Sequence, residues 1–286
     1  SIAVSGRIAK FNGKFEGEKL AGTMESFQGE KKVSSGTFAL TRGGEMPPLS
    51  TNTGQRADPN FDARVANPAY KKNGPRVLFD EAHNNFHTAS GRYKPFADLI
   101  VNDGYLVTPN KDKFSIELLK NSDLLIISNA LGSPDMGSPE ASSPAFTEAE
   151  SDAVKEWVRA GGSLLLIADH APMGSANQIL GQRFGIDMSK KYTIDRENFD
   201  KASGNQGFIV YTRDSGRLMD HPVTRGRNKG ERINKVIAFT GQSLKGPVGS
   251  FAFMRLADSA QDVMGEEPGG FAGGRGQGIA MKFRKG

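Results

Sequence analysis

The sequence has no cysteine, one tryptophan and only four histidines among its 286 residues. The absence of cysteine excludes disulfides, thiolate zinc sites and cysteine nucleophiles. It leaves the cellular compartment open, because a chain without cysteine suits reducing and oxidising surroundings equally. The sequence also lacks any apolar run of roughly 18 residues, the length that a membrane-spanning helix needs. We therefore expect a soluble protein with no membrane span, and export to the bacterial cell envelope is one open alternative.

The charge is modest and dispersed. The net charge is +5 and the isoelectric point is about 9.3, but lysines and arginines are scattered among acidic residues. A nucleic-acid-binding protein would concentrate them in a basic stripe with aromatic residues between them. We therefore expect no nucleic-acid partner. The composition does not indicate an oligomeric state.

The first part of the chain, residues 1–44, is predicted to be a β-rich extension. Asn12-Gly13 is typical of a two-residue hairpin turn, and glycines separate several short alternating segments. Three or four such strands are too few to enclose a core alone. The extension is thus expected to be the end of a truncated β-domain, in a processed protein or a fragment, since the chain begins at Ser1 without a methionine.

Residues 45–73 are rich in proline and small polar residues, which is typical of a linker or of a loop that follows a surface. From residue 74 to 286 the pattern changes to apolar strands that alternate with amphipathic helices. RVLFD, DLLIISNA and SLLLIAD are predicted to be strands, the last two buried. Thr147 and Glu150 form a capping box at the start of the clearest helix. This alternation predicts an α/β fold with a doubly wound, mainly parallel sheet of the flavodoxin-like kind.

The end of the chain is less regular. Beyond Gly185 the segments GFIVYT, KVIAFTG and GIAMKF are predicted to be further strands, and the glycine-rich residues 269–278 to be a flexible loop. No returning strand follows the last segment. The domain is therefore expected to continue beyond Gly286.

Polar side chains follow the predicted strands. Open α/β sheets bind ligands at the carboxyl ends of their strands, so these residues are candidates for a site. They are Asp80, Glu81, His83, Asn84 and His87 after the first strand, Asn129 and Gly132 after DLLIISNA, and Asp169 and His170 after SLLLIAD.

The order RVLFDEAH, DLLIISNALGSP, capped helix and GGSLLLIADH resembles the class I glutamine amidotransferase-like superfamily. It is most similar to the uncharacterised branch of GIFT-type domains, found in intraflagellar transport proteins and in bacterial proteins. The resemblance covers residues 75–185 and implies an amidotransferase-like fold. In catalytic relatives the turn after the second of these strands helps to form an oxyanion hole, and the next strand ends in a Gly-x-Cys-x-Gly nucleophile elbow. Here the elbow position reads Ala168-Asp169-His170-Ala171-Pro172, so we expect no glutaminase activity.

Three interpretations of the polar cluster stay open. The first is a binding domain that holds a small polar ligand or a protein partner through Asp80, His83, Asn84, Asn129 and Gly132. In the second, a metal-dependent hydrolase binds zinc or another divalent ion through His83, His87, Asp169 and His170, with Glu81, Asp169 and His170 in catalytic roles. This interpretation needs His83 and His87 on one helix face. The third gives each group a local duty, such as capping a helix or pairing a histidine with an acid.

Overall fold

The computed structural model describes residues 2–4, 7–16, 19–28, 30–41, 55–265 and 269–285. It divides into two compact units, Ser1–Gly54 and Gln55–Gly286. The second unit therefore begins at Gln55, earlier than the residue 74 predicted from the sequence. Residues 42–54, the first part of the predicted linker among them, lie outside the described ranges.

The first unit is an antiparallel sheet with the strand order β1-β2-β3-β4. Its strands are Ile2–Val4, Arg7–Glu16, Lys19–Gln28 and Lys31–Thr41. The hairpin turn predicted at Asn12-Gly13 is wrong, because both residues lie inside β2 and pair with Thr23 and Gly22. Local turn propensity is outweighed here by the long alternating pattern on both sides of the Asn-Gly pair.

Residues 55–73 follow the surface of the second unit as an irregular segment. The backbone N–H of Tyr70 donates to the carbonyl of Asp103 at 3.1 Å, and that of Ala69 donates to the Asp103 carboxylate at 2.7 Å. The Asn102 amide donates to the carbonyl of Ala63 at 2.9 Å. These bonds attach the segment to the end of the first long helix of this unit.

The second unit is built on a four-stranded parallel sheet with the order β6-β5-β7-β8. The strands are β5 Arg76–Asp80, β6 Leu106–Asn110, β7 Leu124–Ser128 and β8 Ser163–Ile167. The helices around it are α1 Lys94–Asn102, α2 Ile116–Leu119, α3 Glu148–Ala160 and α4 Met173–Arg183, with a short 3-10 helix at Pro139–Ser142. A parallel sheet, as predicted, is thus confirmed for these four strands.

Alternate residues of the central strands face opposite sides of this sheet, as the two-residue period of a strand requires. Leu125 and Ile127 of β7 pack in the cluster that includes α2, α3 and α4, whereas Ile126 packs with residues of α1. β7 is buried on both faces, as predicted. β8 was predicted to be equally buried, but it is an edge strand whose Leu165 is 39% exposed. An apolar run alone does not show where a sheet ends.

Helix α3 follows the predicted pattern closely. Thr147 accepts a hydrogen bond from the backbone N–H of Glu150, and the Glu150 side chain accepts one from the backbone N–H of Thr147. Val154 and Trp157 are buried on the sheet side, and Gly161 ends the helix with φ +127°. The capping box therefore fixes where α3 begins, and its apolar stripe fixes which face it buries.

Beyond Gly185 the chain forms antiparallel sheets, so the prediction of a mainly parallel sheet holds for only four of the described strands of this unit. The strand orders are β14-β17-β13-β9, β10-β15-β16 and β11-β12. A short helix α5 spans Pro222–Arg225, and a 3-10 helix spans Lys229–Glu231. The strands are β9 Asp187–Met188, β10 Tyr192–Asp195, β11 Val210–Thr212, β12 Lys235–Ile237, β13 Leu244–Lys245, β14 Phe251–Arg255, β15 Ala260–Val263, β16 Gly270–Phe271 and β17 Gly276–Ala280.

The predicted flexible loop at 269–278 therefore contains β16 and the start of β17. In the described parts of the chain, no helix has the length and apolar character needed to cross a membrane.

Candidate functional site

His83 lies between two buried carboxylates. Its Nδ1 is 2.9 and 3.0 Å from the two oxygens of Asp80, and its Nε2 is 2.9 Å from Oε1 of Glu150. All three side chains are at most 5% exposed. Because carboxylates only accept hydrogen bonds, both ring nitrogens must donate, which makes His83 an imidazolium ion. We call Asp80, His83 and Glu150 the buried ion triad.

The electrostatics of the triad favour the charged forms. Burial alone lowers the pKa of His83, but the hydrogen bonds and charges of Asp80 and Glu150 outweigh it and raise the pKa above 6.5. Burial raises the pKa of Glu150, but hydrogen bonds from Thr147 and His83 outweigh it and hold the pKa at about 2. Phe114 and Phe146 lie against the His83 ring, with centroids at 4.6 and 4.8 Å. The triad is thus a buried ion cluster whose members are hydrogen-bonded to one another.

Three other candidates also have local duties. Glu81 accepts the backbone N–H of Ala89 at 2.9 Å and pairs with Lys111 at 2.5 Å, so it is not brought to Asp169. The Asn84 amide donates to the carbonyl of Leu131 at 3.2 Å. The fit around Gly132 is tight, because a Cβ there would lie 2.4 Å from the carbonyl oxygen of Glu140.

His87 lies in a separate place from His83. Residues 81–93 form turns and bends, so His83 and His87 do not share the helix face that the metal interpretation needs. Nε2 of His87 donates a hydrogen bond to Oε1 of Gln55 at 3.1 Å, and Nδ1 accepts one from the Asn129 amide at 3.2 Å. The ring stacks on Tyr93 at 4.1 Å. Burial, and then the positive charge of Arg92, lower its pKa to about 4.

A histidine titration tests this environment. We expect the ring signals of His87 to titrate near pH 4, because its buried neutral tautomer is already hydrogen-bonded on both nitrogens. The measurement is a pH series of carbon–proton correlation spectra of the histidine rings, and the His87→Gln variant assigns the signal. Titration of His87 near its ordinary value would show that the ring is not held in this way.

Asn129 and Asp169 meet at the carboxyl ends of β7 and β8. Asn129 has a left-handed backbone, with φ +49°, and its side-chain oxygen accepts the backbone N–H of Asp169 at 2.9 Å. Both Asp169 oxygens accept from the Thr240 hydroxyl, at 2.9 and 3.1 Å, and Oδ1 also accepts the backbone N–H of His170 at 2.8 Å. Asn129 thus joins His87 on one side to Asp169 on the other.

His87, Asn129, Asp169 and Thr240 are among the residues that line a cavity of about 220 Å³. One wall is the end of the parallel sheet, and the other comes from the segment between β12 and β13 together with residues of β14 and β17. Apolar lining comes from Ile167, Ala168, Ala238, Phe239, Leu244 and Met254. We call this space the β7/β8 cavity. Its polar lining residues are Gln55, His87, Tyr93, Asn129, Asp169, Thr240, Gln242 and Gln277.

The other two histidines lie outside this lining. Nδ1 of His170 donates to the carbonyl of Ala171 at 2.6 Å, and its ring lies 4.9 Å from that of Tyr192. His221 caps α5 by accepting the backbone N–H of Val223 at 3.3 Å. Under the third interpretation Asp80 and Asp169 would cap the helices that follow their strands, but they do not cap α1 or α4, which begin after Tyr93 and Pro172.

The residues predicted as metal ligands are not gathered in one place. Among the residues that the structure describes, no group of three or more histidine, aspartate or glutamate side chains is arranged to hold a metal ion. Both nitrogens of His83 are engaged by carboxylates, and those of His87 by neutral side chains. Zinc binding therefore stays a prediction, which elemental analysis of the purified protein would test.

Sequence reasoning missed five polar residues of the β7/β8 cavity. Gln55 lies in the predicted linker, Tyr93 directly precedes α1, and Thr240, Gln242 and Gln277 come from segments without a periodic pattern. Gln242 is 2% exposed and donates to the carbonyl of Asp169 at 2.8 Å. The only available signal for this wall was the break in apolar character after KVIAFTG.

Comparisons with known proteins give little. No protein-family model matches the chain, and no curated protein matches it. Among solved structures, the "mmIFT52 N-terminal domain" is similar, with 14% sequence identity and a TM-score of 0.49, over 65% of this chain and 74% of that chain.

Proposed function

We propose that residues 55–286 form a doubly wound, amidotransferase-like domain that binds a small polar ligand in the β7/β8 cavity and has no glutaminase activity. The observation that carries the proposal is the cavity itself, at the carboxyl ends of two parallel strands. In open α/β sheets this edge is where ligands bind. A protein partner at the same edge stays an alternative prediction.

The size and chemistry of the cavity support a small polar ligand. Its volume, about 220 Å³, is below the roughly 300–1,000 Å³ of sites for drug-sized ligands. Amide, hydroxyl and carboxylate groups are mixed with apolar side chains in the lining. Pockets of this composition bury an apolar surface and orient the ligand through a few hydrogen bonds.

Two features argue against glutaminase chemistry. His170 occupies the place where the resemblance implies a cysteine nucleophile, and Asp169 precedes it. The backbone N–H groups of Leu131 and Gly132, in the turn that would form an oxyanion hole, donate to the carbonyls of His83 and Ala141 at 3.0 and 3.2 Å. An oxyanion needs donors that are free to point at it.

No contact of the described residues favours the metal-dependent hydrolase over the binding domain. Glu81, proposed as its base, is tied to Ala89 and Lys111. His83 would have to lose the hydrogen bond to Asp80 or to Glu150 before it could coordinate a metal. Catalysis by Glu81, Asp169 and His170 thus stays an untested alternative.

A ligand screen tests the binding proposal. We expect at least one small polar metabolite to raise the unfolding temperature, because a ligand that binds only the folded state at about a hundredfold its Kd adds about 2.7 kcal/mol to the free energy of unfolding. The Ala238→Phe variant fills the cavity and should abolish the shift. The exposed Ala202→Phe variant, a matched control, should keep it. A screen without a hit, or a shift that survives in Ala238→Phe, would contradict the proposal.

A further inference from the structure

We infer that the β7/β8 cavity selects a ligand with a positively charged, ammonium-type group that Asp169 binds, together with an oxygen that accepts a hydrogen bond. The inference rests on the proposed function, since it names the class of ligand for the same cavity. It is carried by the charges and the unused hydrogen-bonding groups of the lining.

The lining carries a net negative charge. Among the described residues that form it, three side chains are ionisable: His87, Tyr93 and Asp169. His87 is neutral at neutral pH, because its pKa is about 4. Burial raises the pKa of Tyr93, and the charge of Asp169 adds to the effect, so the phenol is neutral as well. Asp169 is then the single formal charge among the described residues of the lining.

Asp169 has only neutral partners. Its oxygens accept from the Thr240 hydroxyl and from the backbone N–H of His170, and no lysine, arginine or histidine in the described ranges forms an ion pair with it. Such a partly buried carboxylate loses hydration without a countercharge. A cationic ligand would supply that countercharge, whereas an anionic ligand would add repulsion.

Arg92, the cation whose charge lowers the pKa of His87, is held by groups other than Asp169. The Arg92 guanidinium lies 3.9 Å over the Phe86 ring and donates to the backbone carbonyls of Phe86 and Gln55. Lys190 contributes its backbone N–H to Gln242, and neither Lys190 nor Lys191 is part of the lining. No side chain of the described lining can therefore take the place of a cationic ligand at Asp169.

Two further features fit an organic ammonium ion. The rim residue Phe239 is 62% exposed, and aromatic faces attract cations. On the β17 side, the Gln277 side-chain oxygen accepts from the Tyr211 hydroxyl at 2.7 Å, but its buried Nε2 finds no acceptor among the described residues. A buried donor without a partner is costly, and a ligand oxygen would satisfy it.

A matched set of small probes tests the inference on the full chain. Ethanolamine and ethylene glycol share one shape and differ in an ammonium in place of a hydroxyl group, and glycolate is the anionic comparison. We expect ethanolamine to bind about tenfold more tightly than ethylene glycol, because hydrogen bonds to charged groups are the stronger kind. Glycolate should not bind. The measurement is the shift of the amide resonances of Ala168, Thr240 and Gly241 during nuclear magnetic resonance titrations.

Two isosteric variants complete the experiment. Asp169→Asn keeps an oxygen for Thr240 but removes the charge, so the preference for ethanolamine should disappear. Asp214→Asn makes the same change at an exposed position and should leave it intact. If the native chain binds ethanolamine and ethylene glycol equally well, the inference is overturned, but the proposed binding function of the cavity is not. This comparison does not depend on whether Asp169→Asn folds. If no probe shifts these amides at any concentration that preserves the fold, and the metabolite screen also finds no ligand, both fail.

Discussion

Replacement of His83 by alanine should lower the free energy of unfolding by about 3–5 kcal/mol, the range measured when one partner of a buried ion pair is removed. The variant would leave Asp80 and Glu150 buried, with no cation between them. Both acids keep other donors, among them Asn85 for Asp80 and the backbone N–H of Phe114 for Glu150. These donors stabilise single charges, but they do not offset the repulsion between two.

Chemical denaturation of the native and variant chains measures this loss. The control is the same His83→Ala change in an Asp80→Asn, Glu150→Gln background, where both acids are replaced by neutral shapes. The loss there should be smaller, because the change removes the packing of the ring against Phe114 and Phe146 and its hydrogen bonds to neutral amides, but leaves no unpaired carboxylates. An equal loss in both backgrounds would show that packing, and not charge, explains the effect.

The triad also predicts a pH dependence with two limits. His83 has a raised pKa in the folded state, so its contribution is fully present below pH 6.5 and is lost as the pH rises through the folded value. Glu150 has a lowered pKa, so its contribution is present above 4.5 and is lost as the pH falls towards about 2. The variant that combines Asp80→Asn, His83→Ala and Glu150→Gln should lack both effects when its free energy of unfolding is measured as a function of pH.

Replacement of Gly132 by alanine should lower the free energy of unfolding by about 1–3 kcal/mol, the usual cost of overpacking. The new Cβ would lie 2.4 and 2.6 Å from the carbonyl oxygens of Glu140 and Ser143. Backbone atoms cannot turn aside as a flexible side chain can. The 3-10 helix at Pro139–Ser142 would have to shift, although Gly132 is not part of the lining of the β7/β8 cavity.

The matched control lies in the same loop. At Gly137 an added Cβ meets only the Asp135 side chain, at 3.3 Å, and the residue is exposed. Gly137→Ala should therefore change the unfolding free energy by less than about 0.5 kcal/mol, as surface substitutions usually do. Similar losses in both variants, measured by the same denaturation, would mean that the loop as a whole is sensitive, and not the approach at Gly132.

Local signals predicted the elements that depend on neighbours in sequence. The capping box and apolar stripe of α3 are visible in the sequence, and so is the buried β7. The Asp80–His83 pair was also within reach, because the partners are three positions apart in the sequence. Its third member was not, since Glu150 lies 67 residues away and its capping role already explained its presence. One glutamate serves both functions, one with each carboxylate oxygen.

The β7/β8 cavity could be predicted from the sequence only in part. Asn129 and Asp169 were candidates because they follow predicted strands, and the structure places both in the cavity lining. The opposite wall depends on antiparallel pairing between distant short strands, such as Leu244 with Met188 and with Gly276. Such pairings leave no periodic pattern in a strand of two residues. The sheet order beyond Gly185 was therefore not predictable from local sequence.

The buried ion triad restricts which substitutions the sequence can accept during evolution. Loss of His83 alone leaves two carboxylates in the interior without a cation, and loss of Asp80 or Glu150 alone leaves one ring nitrogen of His83 without its acceptor. Each single step therefore passes through a weakened protein. Replacement of all three by well-packed apolar residues removes every charge at once and can be neutral or stabilising. Related sequences should therefore carry either the whole set or none of it, and the three positions should be inherited together as one trait.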